Sequence, residues 1–573
     1  MLKEYKEKQS VPETEREMFR RFSDTLAHLF YHRGMKTLED AETFLSPSYE
    51  NTFDPYKLVG MERAVELIVD AIKENKKICI FSDYDADGIP GGAVFHDFLK
   101  MAGANNFFNY IPDRAEEGFG LSIEAVQKIA EEGTDLLVTV DCGVSDVEEV
   151  KFAKEKGLSV IVTDHHLVSA EGVPPADAVI NPKISPEYED EMLCGAGVAF
   201  KVVQAILQKE RFGIPEGKEK WLLDLVGIAT LSDMVPLQKE NRIFAYYGLI
   251  VLRRTKRVGL QKLFRKIKIN QSKITEDDVG FMIAPRINAA SRMGISMDAF
   301  HLLTTESEEE AEILVRKLEE ANNERKGTTA YLAKEVKKAI EAKYSPHFLN
   351  KVIVVGSPTW KPAVLGLVAS SIAEKEMKPV FLWGREGSKE ELKGSCRGVE
   401  GVSVTSIMSA VPEGVFVNFG GHHQAGGFSV SYDAVHTLDA EIEKAFAVAG
   451  SEEKSARENF VDFVLSPDDI NNRVLVEIEK LAPFGTGNEK PTFLIKNALA
   501  ENISFFGKEK NHLKVMISRS SRPLPAIAFF APEHLVKKVK EGESFSFVGH
   551  LERDFFGAAS VRLRILDIVV SHI

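Results

Sequence analysis

Through the first half of the chain, short apolar runs alternate with amphipathic stretches. Residues 78–81, 107–111, 136–140, 160–163 and 178–181 are rich in β-branched and other apolar side chains, the mark of buried strands. Between them, residues 92–101, 123–132 and 147–156 space their apolar positions as helices do, and further helices are expected over 197–210 and 221–231. Strands and helices taking turns in this way predict a doubly wound, mostly parallel sheet.

A polar helix is expected from Ser307, where Glu310 completes a capping-box pattern and Glu308 and Glu309 suit the positive end of the helix dipole. It runs to Lys343 with an interruption at Gly327 and connects two lobes. Residues 351–355, 364–375 and 380–383 then read strand, helix, strand, a second α/β unit. An Ala-rich helix over 440–449 precedes a charged, small-residue linker at 450–458. Beyond it, five apolar runs at 493–495, 513–517, 526–530, 545–551 and 561–568 predict a small β-barrel of the OB type. The expected domains are an N-terminal segment with a catalytic domain (1–300), a connecting helix (301–345), a second lobe (346–450) and the barrel (459–573). A chain of 573 residues is too long for one core, which agrees with that division.

Composition adds exclusions. No run is long and apolar enough to span a bilayer, and the charged first residues lack a signal-peptide stretch. The four cysteines, Cys79, Cys142, Cys194 and Cys396, show no C-x-x-C pairing, which points away from zinc and disulfides and towards the cytoplasm. The net charge of −14 is unlike that of a simple nucleic-acid binder, although a core of metal-binding carboxylates is acidic in any case. Nine cations between Val251 and Lys273, with no acid among them, form either a solvated helix face or a wall that tracks a phosphate backbone.

The chemistry gathers where apolar runs stop. Asp83, Asp85 and Asp87 follow the first strand, Asp141 the third, and Asp164, His165 and His166 the fourth; Asp233 ends an apolar helix. The carboxyl ends of parallel strands open onto one edge, where ligands bind. Hard oxygen and imidazole donors converging there make a site for two divalent metals, which neutralise phosphate and lower the pKa of water. An EF-hand is the rival for Asp83 to Gly88, but it requires a bidentate Glu at its twelfth position, where this chain has Val94. Three acids also exceed what capping the next helix needs.

Asp-His-His after a strand, preceded by Asp-Tyr-Asp-Ala-Asp-Gly, resembles the DHH phosphoesterase superfamily, and within it the branch of single-strand-specific 5′→3′ exonucleases. The likeness runs through Arg33-Gly34, Phe44 to Pro47, Ile111 to Arg114, Glu117 to Leu121 and Pro285 to Ala290. Gly394 to Arg397 and Gly420 to His422 followed by Ala425 to Gly427 match the DHH-associated domain, and Pro483 to Asn488 the segment leading into the family's OB domain. Ser291 stands where the family has Gly, Phe81 where some branches have His, and Trp360-Lys361-Pro362-Ala363 where it often reads Trp-His-Pro-Gly.

The resemblance implies a metal-dependent 5′→3′ exonuclease on single-stranded DNA, acting in DNA repair and recombination. Asp85, Asp87, Asp141, His165 and Asp233 would hold two Mn2+ or Mg2+ ions, Asp141 bridging them. Asp83 and His166 would sit close by, His166 meeting the scissile phosphate. Arg114, Ser395 and Arg397 match positions that hold the 5′-terminal phosphate, and Arg286 and His422 would line the cleft. A monomer is expected, with a helicase or a single-strand-binding protein as partner. Phe505, Phe506, Phe529, Phe530, Phe555 and Phe556 are candidate base stackers, with the balance towards barrel core because alternate strand residues must fill a small barrel. The alternative is a DHH phosphodiesterase for short oligonucleotides or cyclic dinucleotides, which shares the metal site but has no need of the barrel.

Overall fold

The computed structural model describes residues 5–168, 172–344, 350–387, 391–449, 459–507, 510–520, 523–531, 539–554 and 561–570. The chain forms two compact units: residues 54–233 with 247–455, and residues 1–53 with 234–246 and 456–573.

In the larger unit, β1 (Ile78–Ser82), β2 (Phe107–Tyr110), β3 (Leu136–Val140), β4 (Ser159–Thr163) and β5 (Ala178–Ile180) form one sheet in the order β2-β1-β3-β4-β5. All four pairings are parallel. β1, β3 and β5 are buried throughout, as strands covered on both faces must be. Phe81 lies in the core, where its ring stacks on Tyr110 at 5.4 Å. Helices α1 (Gly88–Met101), α2 (Gly195–Lys209) and α3 (Leu223–Ser232) pack together, and α1 and α2 pack against the sheet.

After α4 (Ala284–Arg292), the long helix α5 runs unbroken from Glu308 to Lys343. The expected interruption at Gly327 does not occur, because one glycine inside a long helix costs only about 1 kcal/mol. The Ser307 hydroxyl does accept from the Glu310 N–H at 3.2 Å, the cap read from the sequence. The second lobe is a five-stranded sheet of β6 (Ile353–Gly356), β7 (Val380–Arg385), β8 (Leu392–Arg397), β9 (Phe416–His422) and β10 (Ala425–Val430), in the order β9-β10-β8-β7-β6. Only β6 and β7 run parallel.

In the smaller unit, β11 (Phe493–Phe506), β12 (His512–Ile517), β13 (Leu524–Ala528), β14 (Ser544–Arg553) and β15 (Val561–Val570) close into a barrel through the pairing of β11 with β14. Phe493, Ile495, Leu513, Val515, Phe545, Phe547 and Leu563 fill it, and the same core takes in Phe19, Leu26, Leu29 and Phe30 from N-terminal helices. The balance drawn towards core for the candidate stackers is corrected here. Phe505, Phe506, Phe529 and Phe530 are 38–74% exposed, because they lie at strand ends past the filled section. Phe555 and Phe556 lie outside the described residues.

All four cysteines are buried and free. The basic run is partly neutralised: Arg257 bonds Asp97 and Asp224, and Lys262 bonds Glu308 and Glu312. Among the described residues, no helix is long and apolar enough to cross a membrane.

Candidate metal centre and phosphate pocket

Three of the five parallel strands, β1, β3 and β4, are followed by an acid whose N–H continues the ladder to the next strand. The Asp83 N–H donates to Val140 O, the Asp141 N–H to Thr163 O and the Asp164 N–H to Ile180 O, at 3.1, 2.9 and 3.0 Å. The acids therefore stand side by side on one sheet edge. For the order β2-β1-β3-β4-β5, the crevice between β1 and β3 is where connections leave in opposite directions and ligands bind. Asp83 and Asp141 flank it. Asp141 adopts φ +63°, a left-handed conformation that Asp tolerates better than most residues.

Three overlapping groups of donors form there, each with its ligand atoms within 4.8 Å: Asp87, His165 and Asp233 in one, Asp83, Asp85 and Asp141 in another, and Asp141, His165 and His166 in a third that links the two. His165 Nε2 lies 3.2 Å from Asp141 Oδ1 and 3.8 Å from both Asp87 Oδ2 and Asp233 Oδ2. Asp141 thus adjoins both groups. Asp85 Oδ1 accepts from the Asp87 and Gly88 N–H at 2.7 and 3.1 Å, which turns the chain sharply into α1.

The electrostatics are those of carboxylates short of counter-charge, with Arg114, His166 and Lys183 opposing burial and mutual repulsion without overcoming them. Burial, with Asp85 close by, pushes Asp87 up to about 7, and burial with Asp87 and Asp85 pushes Asp233 up to about 8. Burial also raises Asp83 and Asp141 well above the ordinary carboxylate range, helped by the neighbouring acids. Asp233 caps the C-terminal end of α3, where the helix dipole disfavours a negative charge. Asp83 Oδ1 and Asp141 Oδ1 are buried and accept no hydrogen bond. Oxygen donors of this kind, with one imidazole, fit hard divalent cations such as Mg2+ or Mn2+.

Asp164 has another task. Its Oδ1 accepts from the His165 and His166 N–H at 2.7 and 3.0 Å and lies 2.7 Å from His166 Nδ1, while Oδ2 accepts from the Val144 N–H. Burial opposes charge on His166, but the Asp164 hydrogen bond, Asp164, Asp83 and Asp233 together hold it up at about 9. His165 is pushed the other way, to about 3, by burial and by His166. One histidine is thus a neutral donor to metal and its neighbour a fixed cation. The His422 ring stacks on His166 at 5.9 Å and brings the second lobe to this edge.

Beside the acids lies the opposite arrangement. Arg114 stands 5.0 Å over the Tyr84 ring, and Arg397 shares one face of β8 with Ser395, two residues back. Arg292, from α4, was missed in the sequence reading. Burial and the charges of Arg114, Arg325 and Arg397 lower it to about 9. Among the described residues none of these arginines has a carboxylate partner; Arg292 instead donates to Ala363 O, in the segment that departs from the family pattern. Arg286 is not with them. It is buried, and Glu319 pairs with it. Lys183, also missed, bonds the His165 carbonyl. The sole signal for Lys183 was its place just after β5, and for Arg292 its place beside a matched motif.

Three family models match the chain: the DHH family, N-terminal domain over residues 77–230, the DHHA1 domain over 349–448 and the RecJ OB domain over 461–567. The single-stranded-DNA-specific exonuclease RecJ of Bacillus subtilis (strain 168) is 35% identical over 549 residues, which cover 95% of this chain and 68% of that protein. Its namesake from Haemophilus influenzae is 34% identical, with 85% of this chain and 86% of that one covered. The chain belongs to the RecJ family. A RecJ from Thermus thermophilus, solved in complex with Mn2+, has the same fold at a TM-score of 0.82 and 28% identity, over 99% of this chain and 79% of that one. Another structure, an exonuclease RecJ bound to manganese, is 33% identical at a TM-score of 0.59 and covers 68% of this chain and 95% of that one.

Proposed function

We infer that this RecJ-family chain is a metal-dependent 5′→3′ exonuclease that hydrolyses single-stranded DNA to 5′-mononucleotides in DNA repair and recombination. The observation that carries the reading is the juxtaposition of two uncompensated charge sets, buried carboxylates beside arginines that lack carboxylate partners. A phosphodiester with a terminal phosphate, together with cations, completes both.

Asp85, Asp87, Asp141, His165 and Asp233 would hold two Mn2+ or Mg2+ ions, with Asp83 close by. When bound, these ions supply the charge neutralisation and water activation that phosphodiester hydrolysis needs. His166, kept charged by Asp164, donates to the scissile phosphate, and His422 supports its ring from the second lobe. Arg114, Ser395 and Arg397, with Arg292 behind them, hold the 5′-terminal phosphate. A terminal phosphate carries more charge and more acceptor oxygens than an internal diester, so this pocket sets the polarity.

The barrel grips the strand. Phe506, His512 and Phe529 lie with ring centroids 5.1–6.3 Å apart, Phe530 adjoins His512 at 4.7 Å, and Arg562 and Arg564 approach Phe529 within 5.9 Å. Exposed rings beside guanidinium groups suit stacked bases and their backbone. A phosphodiesterase of short oligonucleotides has no use for such a face. The enzyme works as a cytoplasmic monomer on strands supplied by a helicase or carried by a single-strand-binding protein.

Strands labelled at the 5′ or the 3′ end test the reading. With Mn2+, the 5′ label is released at once as mononucleotide, while the 3′ label stays on a shortening strand. Early release of the 3′ label, or cleavage limited to the shortest oligonucleotides, refutes it.

A further inference from the structure

Asp87, at the start of α1, and Asp141, at the end of β3, belong to different elements, yet one residue far along the chain touches both. Helix α2 enters the acid cluster with its N-terminus. The Gly195 N–H donates to Asp87 Oδ2 at 2.7 Å and the Ala196 N–H to Asp87 Oδ1 at 2.8 Å. Both oxygens of Asp87 are therefore held by the backbone of this one helix start.

The same glycine presses on Asp141. A Cβ at Gly195 would stand 2.5 Å from Asp141 Cβ and Oδ1 and 2.6 Å from Asp141 Cγ. Neither side can yield cheaply. Asp141 is buried, is held at φ +63° and turns Oδ1, which accepts no hydrogen bond, towards His165 Nε2 at 3.2 Å. On the far side of the first turn, a Cβ at Gly91 of α1 would stand 3.1 Å from Ala196 Cα and 2.7 Å from a Val140 methyl. The helix start is thus wedged between α1 and the ends of β1 and β3, and the wedge closes because two side chains are missing.

We propose that Gly195 is a positioning residue: its N–H and its missing side chain together set the separation of Asp87 and Asp141, and with it the spacing of the two cation sites. It touches no substrate; it acts through the two carboxylates. The proposal rests on the metal-centre reading above.

Gly195→Ala in the full-length protein tests it, with Mn2+ binding followed by electron paramagnetic resonance of the free ion in the absence of DNA. Mn2+ affinity falls at least tenfold at one site or both. Binding of a 5′-phosphorylated strand in EDTA is unchanged, since that pocket lies on other elements. A folded Gly195→Ala protein that titrates with Mn2+ like the wild type overturns the proposal.

Thermal melts of the metal-free protein give a second readout. Gly195→Ala lowers the melting temperature in the wild-type background, and most of that loss disappears in an Asp141→Gly background, where the opposing side chain is gone. An equal loss in both backgrounds, or a double variant that fails to fold while Asp141→Gly folds, sinks the contact. If the wild type itself binds no Mn2+, the metal-centre reading fails, and the melts still decide whether Gly195 holds Asp141 in place.

Discussion

Two sets of buried charge in the same unit have opposite designs. Arg257 donates to Asp97 at 2.5 Å and to Asp224 at 2.9 Å, and the Thr255 hydroxyl donates to Asp224 at 2.6 Å. That network supplies its own counter-charges, and burial does not displace the proton from Arg257. The acids at the ends of β1 and β3 have no such supply. Burial and mutual repulsion push them out of the ordinary carboxylate range, and two of their oxygens accept nothing. Burial of charge therefore does not mark function; burial without a partner does. The arginines around Arg292 repeat the lesson with the sign reversed.

Asp141→Asn removes the carboxylate that adjoins both donor groups, keeps a residue that tolerates φ +63°, and gives the largest effect. Hydrolysis of labelled single strands at saturating Mn2+ falls at least ~1000-fold, about 4 kcal/mol of barrier. The metal-free melting temperature rises, because a neutral Asn can be buried without the proton that Asp141 must take up on folding. Turnover near the wild-type rate would erase the distinction between the two charge sets.

Arg257→Met tests the other set. It leaves Asp97 and Asp224 buried without their cation, and stability measured in urea drops by about 3–5 kcal/mol. Mn2+ binding by the protein that remains folded is unchanged. A loss below about 1 kcal/mol would show that the triad is not the self-compensated structure described.

Arg397→Ala weakens the pocket for a terminal phosphate by about 1.5–3 kcal/mol, the worth of a hydrogen bond to a charged group. Use of 5′-phosphorylated strands falls by a factor of about 10–100, while 5′-hydroxyl strands are degraded nearly as before. Equal losses on both substrates contradict this assignment.

The smallest effect is on pH dependence. In the native protein Asp87 titrates at about 7, Asp233 at about 8 and His166 at about 9, all above their unfolded values. Between pH 6.5 and 8 the native state accordingly binds more protons than the unfolded chain, so stability falls as pH rises. His165, held near 3, opposes this trend only below about 6.5, the ordinary histidine value. Melts in EDTA therefore shift downwards across that window, and Mn2+, which displaces those protons, binds more tightly across it. A melting temperature that climbs from pH 6.5 to 8 in EDTA would show the acids to be compensated after all.

Much of this was legible along the chain. Apolar runs that stop at Asp83, Asp141 and Asp164 placed acids at strand ends before any strand pairing was known, because burial on both faces leaves a continuous apolar signature. The N-cap at Ser307, the barrel strands and the order of motifs are local patterns of the same kind, although the reciprocal half of the capping box does not form, because Thr305 takes both the Ser307 N–H and the Glu310 carboxylate. What escaped were matters of partnership. Arg286 and Asp164 read as charges like their neighbours; only packing gave Arg286 to Glu319 and turned Asp164 towards His166. The exposure of Phe506 and Phe529 depended on where the barrel closes, and the N-terminal helices joined the barrel core from the other end of the chain. Gly195 meets Asp87 across 108 residues. Period and spacing report the backbone's local geometry, which is set by neighbours a few residues away. Whether a buried charge is answered or left open depends on which distant segment folds against it, and no pattern within one segment carries that.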